Sequence, residues 1–483
     1  MSRVDVPAPA RTASRTWRLD AGVLAGVAVL IRLPALVADR FLTYDDGVFG
    51  SSALLMRDGE LPFREIFSPQ GPLFLPLVYV ADLLGLRTDN AARLLPLVAG
   101  AAVTVATYAA GRHLTTRGGA LLAAGLVTTS GSVLWTTAPI TSDGPALALA
   151  TTAVALALGY RVRPSSTRAV AVGLTLGAAL CIKVLVLPAA VPVGLLLLGR
   201  RRPRDIVLAA GAAVAVGLVV TLPWGFGRVW DQYIEYHRES SRIASHAGAA
   251  RKILRTLVER DALVVAAGVL ALLAAAPPRA PGRDAARDEA PADAPPARVS
   301  AGLLGAWAGG VLLVLVLEPA FWRPQLAEVI PALALLAALR PFRSTAVLAV
   351  VGIALSPWYL GHARPMLWPD RADADERAAV ADLGDLPDGS EVVTDEPGLA
   401  WRAGRRVPGR LVDASIKRIE QGQITTGVIA EAAAERDVCA VLVWDDRYGD
   451  LPGLPGRLAD DGYDVAARYG GPRVLYVRDE CPR

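Results

Sequence analysis

Long uninterrupted apolar segments dominate most of this sequence. Runs of about 15 to 22 residues, rich in Leu, Ala, Val and Gly, recur along the first 360 positions. A helix needs about 20 such residues to cross the roughly 30 Å hydrocarbon layer of a bilayer. Because the runs show no alternation of polar and apolar residues, they do not fit the strands of a transmembrane barrel. The sequence therefore predicts a polytopic α-helical membrane protein.

The composition agrees with residence in a membrane. Of the 483 residues, 53% are hydrophobic, and the mean hydropathy is +0.39. The net charge of +4 comes from arginines gathered in particular loops, which argues against binding to nucleic acid. Only three lysines occur, at Lys183, Lys252 and Lys417. Together with abundant Ala, Gly, Pro and Arg, this bias suggests a bacterium with a GC-rich genome and draws attention to each remaining lysine.

About eleven spans are predicted in a membrane domain of residues 21–361. Residues 1–20 are polar and carry several arginines, so they are interpreted as a cytoplasmic N-terminal tail before an uncleaved first span at 21–38. A cleaved signal peptide ending near Ala38 is the alternative. The later spans are predicted at 93–111, 118–138, 145–160, 169–182, 184–198, 206–223, 262–276, 301–317, 326–339 and 345–361.

The distribution of arginine predicts the orientation of these spans. Short connections that contain arginine are expected in the cytoplasm, together with a disordered linker at 277–298 that is rich in Pro and Ala. These connections are 112–117, 161–168, 200–204 and 340–343. The opposite side then receives the first outer loop at 40–92, the turns at Asp143 and Lys183, and the connection 225–261.

One apolar segment, residues 72–86, complicates this topology. If it crossed the membrane, every later segment would be inverted and the arginine-rich turns at Arg161 and Arg200 would lie outside. The segment is short and contains Pro76. We therefore interpret it as a helix that lies at the outer surface or dips into it.

Residues 362–483 have the composition of a soluble α/β domain. Short β-like runs at 391–394, 440–444 and 473–477 alternate with helical stretches such as 426–436 and 455–461. An odd number of spans places this domain outside the plasma membrane. In that location Cys439 and Cys481 either form a disulfide or remain two free thiols.

Several acidic residues of the outer side are candidates for chemistry. Asp45 and Asp46 follow the first span, where two carboxylates can hold a divalent metal or accept a proton from a hydroxyl group. A solvated loop or a helix cap is the alternative for this pair. Asp143 comes just before Pro145, so it either caps the next helix or faces the same pocket as Asp45.

Two basic residues lie at positions that an anionic lipid can reach. Lys183 interrupts an apolar stretch at 169–198, where an ionisable side chain is costly unless it meets water, an anion or a partner. It is therefore a candidate ligand for a phosphate. Arg93 begins the second predicted span, and it either extends to the lipid headgroups or contacts a lipid phosphate.

The connection after residue 223 contains a further group of aromatic and basic residues. Trp230, Tyr233 and His237 are spaced by three and four residues, which predicts one face of an amphipathic helix at the membrane interface. An aromatic belt explains the Trp and Tyr, but it explains His237 and Arg242 less well.

A series of short motifs occurs in a fixed order between residues 20 and 340. The series is Asp45-Asp46, Gly59 with Pro62-Phe63, Pro69-Gln70-Gly71-Pro72-Leu73, Gly85 before Ala91-Ala92-Arg93-Leu94, Asp143, Lys183, and Leu222-Pro223-Trp224-Gly225 with His237. No single motif is specific, but their order and spacing are. Together they resemble the GT-C superfamily of glycosyltransferases that use polyprenyl-phosphate sugars, in particular the branch of the protein O-mannosyltransferases and the lipid A aminoarabinose transferases.

The resemblance implies a function and a set of site residues. It implies inverting transfer of a mannose- or pentose-like sugar from a polyprenyl-phosphate donor to a glycan, lipid or protein of the cell envelope, at the outer face. The implied catalytic residues are Asp45 and Asp46, the acceptor or metal environment is Asp143 and Gln70, and the ligands of the donor phosphate are Arg93, Lys183, His237 and Arg242. No cofactor is firmly implied, and a divalent metal ion at Asp45 and Asp46 is one option.

The sequence departs from this family in two places. Many relatives carry a pair of histidines where this chain has Arg323-Pro324-Gln325. The sequence of the C-terminal domain does not match the β-trefoil of the protein O-mannosyltransferases. Serine and threonine hydroxyls of proteins are therefore less favoured as acceptors. Two other functions use the same features: a transporter or flippase of lipid-linked sugars, and a membrane scaffold without catalytic activity. A transporter is expected to show internal repeats, which this sequence lacks.

Overall fold

The chain forms a helical bundle with a small α/β domain resting on one end of it. The computed structural model describes residues 11–36, 43–85, 90–244, 248–274, 297–318, 322–339, 350–351, 354–355, 357–365, 368, 370–478 and 481. The predicted linker lies outside these residues except for 297–298, which begin a helix. Most of the first half of the predicted last span, 345–361, lies outside them as well.

Within the described residues, 357–365 are helical, and fifteen further helices with defined bounds build the bundle. They are α1 Arg11–Arg32, α2 Tyr44–Arg57, α3 Phe74–Leu84, α4 Leu94–Leu114, α5 Arg117–Thr129, α6 Gly131–Thr137, α7 Asp143–Val162, α8 Ser166–Ile182, α9 Ala190–Leu198, α10 Pro203–Thr221, α11 Phe226–Val229, α12 Tyr236–Ile243, α13 Ala249–Ala274, α14 Ala297–Leu317 and α15 Ile330–Ala338. A π-helix, Trp230–Glu235, joins α11 to α12, and 3₁₀ helices at Val184–Ala189 and Arg323–Val329 precede α9 and α15.

Several of these helices meet the requirements of a membrane span. Five segments in the described residues are long and apolar enough: Thr16–Leu36, Ala91–Leu114, Asp143–Val162, Pro203–Thr221 and Ser300–Leu317. A bent pair, α5 with α6, adds a sixth if the two helices form one span with a 62° bend. The chain is thus a multi-pass membrane protein, whereas the total of about eleven spans stays a prediction.

The first helix begins earlier than the sequence suggests. The N-terminal tail was expected to reach residue 20, but α1 starts at Arg11. Asp20 is compatible with a helix packed on the bundle because Arg117 forms an ion pair with it at 2.7 Å and the Tyr108 hydroxyl donates to it. Partners on α4 and α5 therefore neutralise the charge that marked the expected boundary.

The ambiguous segment 72–86 forms a short helix. α3 has 11 residues, about half of what a span needs. Pro76 lies in its first turn, where the missing amide donor costs no hydrogen bond, so it does not break the helix. The Arg57 guanidinium binds Asp82 of α3 through two hydrogen bonds, of 2.8 Å and 2.6 Å, which fasten α3 to the end of α2.

The C-terminal domain contains a four-stranded sheet. Its strands are β1 Glu391–Thr394, β2 Val438–Val443, β3 Tyr463–Arg468 and β4 Val474–Arg478, in the spatial order β1-β2-β4-β3. β1 is parallel to β2, and the other pairs are antiparallel. The helices are α16 Ala374–Gly384, α17 Pro397–Arg402, α18 Ile416–Glu420, α19 Thr426–Ala433, α20 Asp446–Gly449 and α21 Leu454–Asp460. Alternate residues of β2 pack under α16 and α17 on one face and under α19 and α21 on the other.

A disulfide joins Cys439 of β2 to Cys481 near the end of the chain. This pairing agrees with the first of the two possibilities that the sequence left open. Cys181, in α8, is a buried free thiol.

Close backbone packing holds the C-terminal domain against α2. A Cβ atom placed on Gly47 would lie 2.4 Å from the Gly398 nitrogen, and one on Gly50 would lie 2.4 Å from the ring of Trp401. The Ser51 hydroxyl donates to the Pro397 carbonyl at 3.0 Å. Glycine is needed at both positions because α17 rests directly on the helix backbone.

We expect Gly47→Ala to weaken this interface. The new methyl group overlaps the Gly398 backbone, and overpacking of this kind costs about 1–3 kcal/mol. The variant should melt at a lower temperature and should lose protection of the C-terminal domain in limited proteolysis. Gly456→Ala in α21 is the matched control, because no atom lies within 4 Å of its added Cβ. Identical melting of Gly47→Ala and the wild type would show that the interface tolerates the methyl group.

Candidate functional site

A cavity of about 600 Å³ lies between the bundle and the C-terminal domain. Its floor comes from the start of α2, the start of α7 and the end of α8. Its wall comes from the π-helix, α12 and the 3₁₀ helix before α15, and its roof comes from the loops before α18 and α20. The size is that of an ordinary ligand pocket.

Asp45 lies in the first turn of α2 and faces this cavity. The Asp45 side chain is exposed to the cavity. The pKa of Asp45 is raised to about 7, chiefly by burial and then by the negative charges of Asp143 and Asp413, against the opposing charge of Lys183. A carboxylate with such a pKa can take up a proton near neutral pH.

Asp143 and Lys183 form an ion pair on the floor of the cavity. The Lys183 ammonium lies 2.6 Å from Asp143, and both side chains are largely buried. Asp143 lies in the first turn of α7 and binds Lys183 instead of capping the helix that it begins. An ammonium has three donor hydrogens, so Lys183 retains donors for a further anion. Beside this pair, the Ser142 hydroxyl donates to Gln70 at 2.7 Å.

Asp46 and Arg93 pair with each other away from the cavity. The Arg93 guanidinium donates to both oxygens of Asp46, at 3.2 Å and 2.7 Å, and both side chains are almost completely buried. Asp46 also accepts the Ile140 amide at 2.7 Å and forms a capping box with Thr43. Neither of these two predicted site residues lines the cavity. Their buried ion pair instead stabilises the packing of the protein around the site.

The metal option does not fit this arrangement. The oxygens of Asp46 are occupied by Arg93, Thr43 and the Ile140 amide, so Asp45 and Asp46 do not turn toward a common ion. In the described part of the chain, no group of three or more His, Cys, Asp or Glu side chains is arranged to hold a metal.

The segment after residue 223 brings His237 to the cavity but not as predicted. Residues 230–235 form a π-helix, whose wider turn separates residues that a spacing of three and four would align. Trp230 is consequently exposed, whereas the Tyr233 hydroxyl points inward and donates to the Leu180 carbonyl at 3.0 Å. His237 lines the cavity, and burial lowers its pKa. Arg242 is exposed and does not line the cavity.

The roof of the cavity comes from the C-terminal domain, which the sequence did not connect to the site. The Tyr44 hydroxyl donates to Asp413 at 3.0 Å, and the Arg447 guanidinium stacks 4.1 Å above the Tyr44 ring. Arg447 is held in turn by Glu396 at 2.9 Å and Asp445 at 3.2 Å. A neighbour of the proposed catalytic carboxylate is therefore fixed by a domain hundreds of residues away.

One sequence signal, the rarity of lysine, could have identified this roof. Lys417 lines the cavity, as does Lys183, so two of the three lysines of the chain lie at one site. The rarity of lysine was the only property that linked the two residues in the sequence, because the short helix α18 around Lys417 carries no other signal of a site. Glu328, on the 3₁₀ helix before α15, was also missed; it is buried, and one of its carboxylate oxygens has no hydrogen-bond partner among the described residues.

The described geometry resembles that of known membrane proteins. No family model matches the sequence, and no curated protein matches it. ArnT from Cupriavidus metallidurans, solved with bound undecaprenyl phosphate, superposes with a TM-score of 0.66 at 16% identity over 94% of this chain and 97% of that chain. The oligosaccharyltransferase AglB from Archaeoglobus fulgidus, in complex with an inhibitory peptide and a dolichol-phosphate, gives a TM-score of 0.56 at 12% identity over 97% and 75% of the two chains.

These similarities extend over nearly the whole chain and include the C-terminal domain. At such low identity they establish the fold alone, which is similar to that of ArnT and AglB. The resemblance drawn from the order of the sequence motifs is confirmed at this level. A shared fold does not fix the function, which depends on the residues of the cavity.

Proposed function

We propose that this protein transfers a sugar from a polyprenyl-phosphate carrier to an acceptor of the cell envelope. The observation that carries the proposal is that one cavity holds both the Asp45 carboxylate and Lys183, the residue that directly follows α8. A base and a phosphate ligand are the two groups that such a transfer needs. The bound polyprenyl phosphates of ArnT and AglB, which share the fold, support the same class of donor.

The proposed mechanism is a single inverting displacement. An acceptor hydroxyl attacks the anomeric carbon of the sugar, and Asp45 takes the proton of that hydroxyl. The bond between the anomeric carbon and the phosphate oxygen breaks, and its electrons leave with the phosphate. Lys183 stabilises the charge that develops on the phosphate, and Asp143 keeps Lys183 in place through their 2.6 Å contact. His237 contributes a further polar group on the opposite wall.

We further propose that the cavity and the C-terminal domain face the outside of a bacterial plasma membrane. The arginine-bearing connection 161–168 joins α7 to α8 at the ends of these helices that lie away from the cavity, in agreement with a cytoplasmic location for that connection. The disulfide between Cys439 and Cys481 suits an oxidising compartment. We expect the transferred sugar to be mannose- or pentose-like and the acceptor to be a glycan or a lipid.

Sugar transfer in isolated membranes tests this function. Membranes that contain the protein are supplied with polyprenyl-phosphate donors bearing radiolabelled mannose or pentose, and label is followed into envelope components and across the bilayer. We expect transfer, and Lys183→Gln should reduce it roughly tenfold or more because a charge-assisted contact to phosphate is lost. Lys252→Gln is the matched control, since Lys252 does not line the cavity.

Two results would favour the other functions. Passage of labelled donor lipid across the bilayer, without label on any acceptor, would indicate a transporter. Absence of both transfer and donor binding would indicate a scaffold. Equal transfer by Lys183→Gln and Lys252→Gln would remove Lys183 from the mechanism while leaving the activity in place.

We expect the rate of transfer to depend on pH through Asp45. A base must be ionised, so the rate should fall as the pH drops through about 7, the pKa to which the cavity raises Asp45. Asp413→Asn should move the midpoint to lower pH, because the variant removes a negative charge that disfavours ionisation of Asp45. Asparagine can still accept the hydrogen bond from Tyr44. A rate that is constant from roughly pH 5 to 9 would contradict the role of Asp45 as the base.

A further inference from the structure

A second crevice opens at the end of the bundle opposite the catalytic cavity. It has a volume of about 720 Å³ and runs between α4 and α7, with Trp17 of α1 at its side. Ala102 and Ala109 line it from α4, and Thr152 and Leu156 line it from α7. α4 and α7 belong to segments long and apolar enough to cross a membrane, so the crevice lies at the depth of the hydrocarbon. A gap of this kind is filled by an apolar chain, because water finds almost no hydrogen-bond partners there.

Cationic side chains line the crevice near the C-terminal ends of α4 and α7. Arg163, Arg168 and His113 line it there. The His113 ring packs close to α7, since its Nε2 atom would lie 3.4 Å from a Cβ atom added to Gly159. Arg168 is held in place by the Arg163 carbonyl at 2.6 Å and the Gly159 carbonyl at 3.4 Å. Arg163 itself is exposed. The described residues that line the crevice include no carboxylate, so its charge is entirely positive.

We propose that this crevice binds an anionic glycerophospholipid of the surrounding leaflet. One acyl chain lies between α4 and α7, and the headgroup phosphate contacts Arg163 and Arg168. Charge complementarity selects the occupant, since each cation near an anionic headgroup strengthens binding about fivefold. Trp17 sits at the level of the headgroups, as tryptophan does at membrane interfaces. The site is separate from the donor site, which lies at the other ends of α7 and α8.

Lipid titration of the purified full-length protein tests the proposal. Delipidated protein is titrated with phosphatidylglycerol or phosphatidylcholine of equal chain length, and bound lipid is counted by native mass spectrometry. We expect tighter binding of phosphatidylglycerol. Arg163→Gln should weaken it about fivefold and should weaken phosphatidylcholine less, because the choline ammonium offsets the phosphate charge. Arg204→Gln, an equally exposed arginine outside the crevice, should change neither lipid.

A filling variant tests the acyl chain independently of charge. Ala109→Phe, in the middle of the crevice, should remove the tightest phosphatidylglycerol binding while sugar transfer continues. Equal affinity for both lipids, or unchanged phosphatidylglycerol binding in Arg163→Gln, would overturn the proposal even if Ala109→Phe failed to fold. Loss of undecaprenyl phosphate binding in Arg163→Gln would also overturn it, because the crevice would then belong to the donor.

Discussion

Asp45→Asn should transfer sugar roughly a hundredfold to ten-thousandfold more slowly than the wild type, the usual effect of removing a general base. Asparagine occupies the same volume but cannot take up the proton of the acceptor hydroxyl. Donor binding should persist or improve, because the variant removes a negative charge from the cavity that receives a phosphate. The measurement is the rate of label transfer at saturating donor, with binding of undecaprenyl phosphate determined in parallel.

The control for this variant is Asp231→Asn. Asp231 undergoes the same chemical change, but it is exposed on the π-helix and does not line the cavity. A transfer rate for Asp45→Asn within a few fold of the control would exclude Asp45 as the base.

The thermal stability of Asp45→Asn separates loss of chemistry from loss of folding. The pKa of Asp45 is raised from about 4 in the unfolded chain to about 7 in the folded protein, chiefly by burial. For an acid whose pKa is raised by folding, stability is lost as the pH rises through that interval, because the folded state disfavours the charge. At pH 8 the ionised carboxylate therefore opposes folding, and asparagine relieves this. We expect a melting temperature equal to or above that of the wild type.

Arg93→Gln, unlike Asp45→Asn, should destabilise the protein. We expect the free energy of unfolding to fall by about 3–5 kcal/mol, the usual cost of breaking a buried ion pair. The carboxylate of Asp46 would remain buried without its partner, since both side chains are almost fully enclosed. Thermal unfolding in detergent measures the loss. Glu235→Gln provides the control, because its pair with Arg238 is largely exposed and such pairs contribute only about 0.5 kcal/mol.

The same variant decides between two roles for Arg93. If Arg93 supports the fold, the protein that does fold should bind undecaprenyl phosphate with wild-type affinity. If Arg93 instead holds the donor phosphate, as the family resemblance implied, stability would be nearly unchanged and donor affinity would fall. The contacts of Arg93 with Asp46 favour the first result.

Features that depend on local sequence were predictable. Span length and arginine-bearing turns follow from the cost of placing polar groups in hydrocarbon, and the helices at residues 143–162 and 203–221 lie within a few residues of their predicted positions. Asp45, Asp143 and Lys183 were recognised because charged residues next to long apolar runs are rare. The cavity brings all three together.

Features that depend on pairing across the chain were not predictable. Asp46 is an aspartate like Asp45, and Arg93 is a cation like Lys183, so residue type alone could not separate them. The contact between α2 and the 3₁₀ helix Ala91–Arg93 decides that Asp46 and Arg93 pair with each other. The strand β3 was missed because its residues are mostly exposed at the sheet edge, so they form no apolar run. The π-helix was missed because the aromatic residues were interpreted with the periodicity of an α-helix.

The hydrogen bond between Tyr44 and Asp413 joins residues 369 positions apart in the chain. During synthesis, α2 emerges from the ribosome long before the residues that cover it, so its glycine surface at Gly47 and Gly50 has no partner until translation is nearly finished. The roof of the cavity consequently forms only after most of the chain has been synthesised. A chain truncated before the C-terminal domain would keep Asp45 and Lys183 but lack Asp413, Lys417 and Arg447 above them.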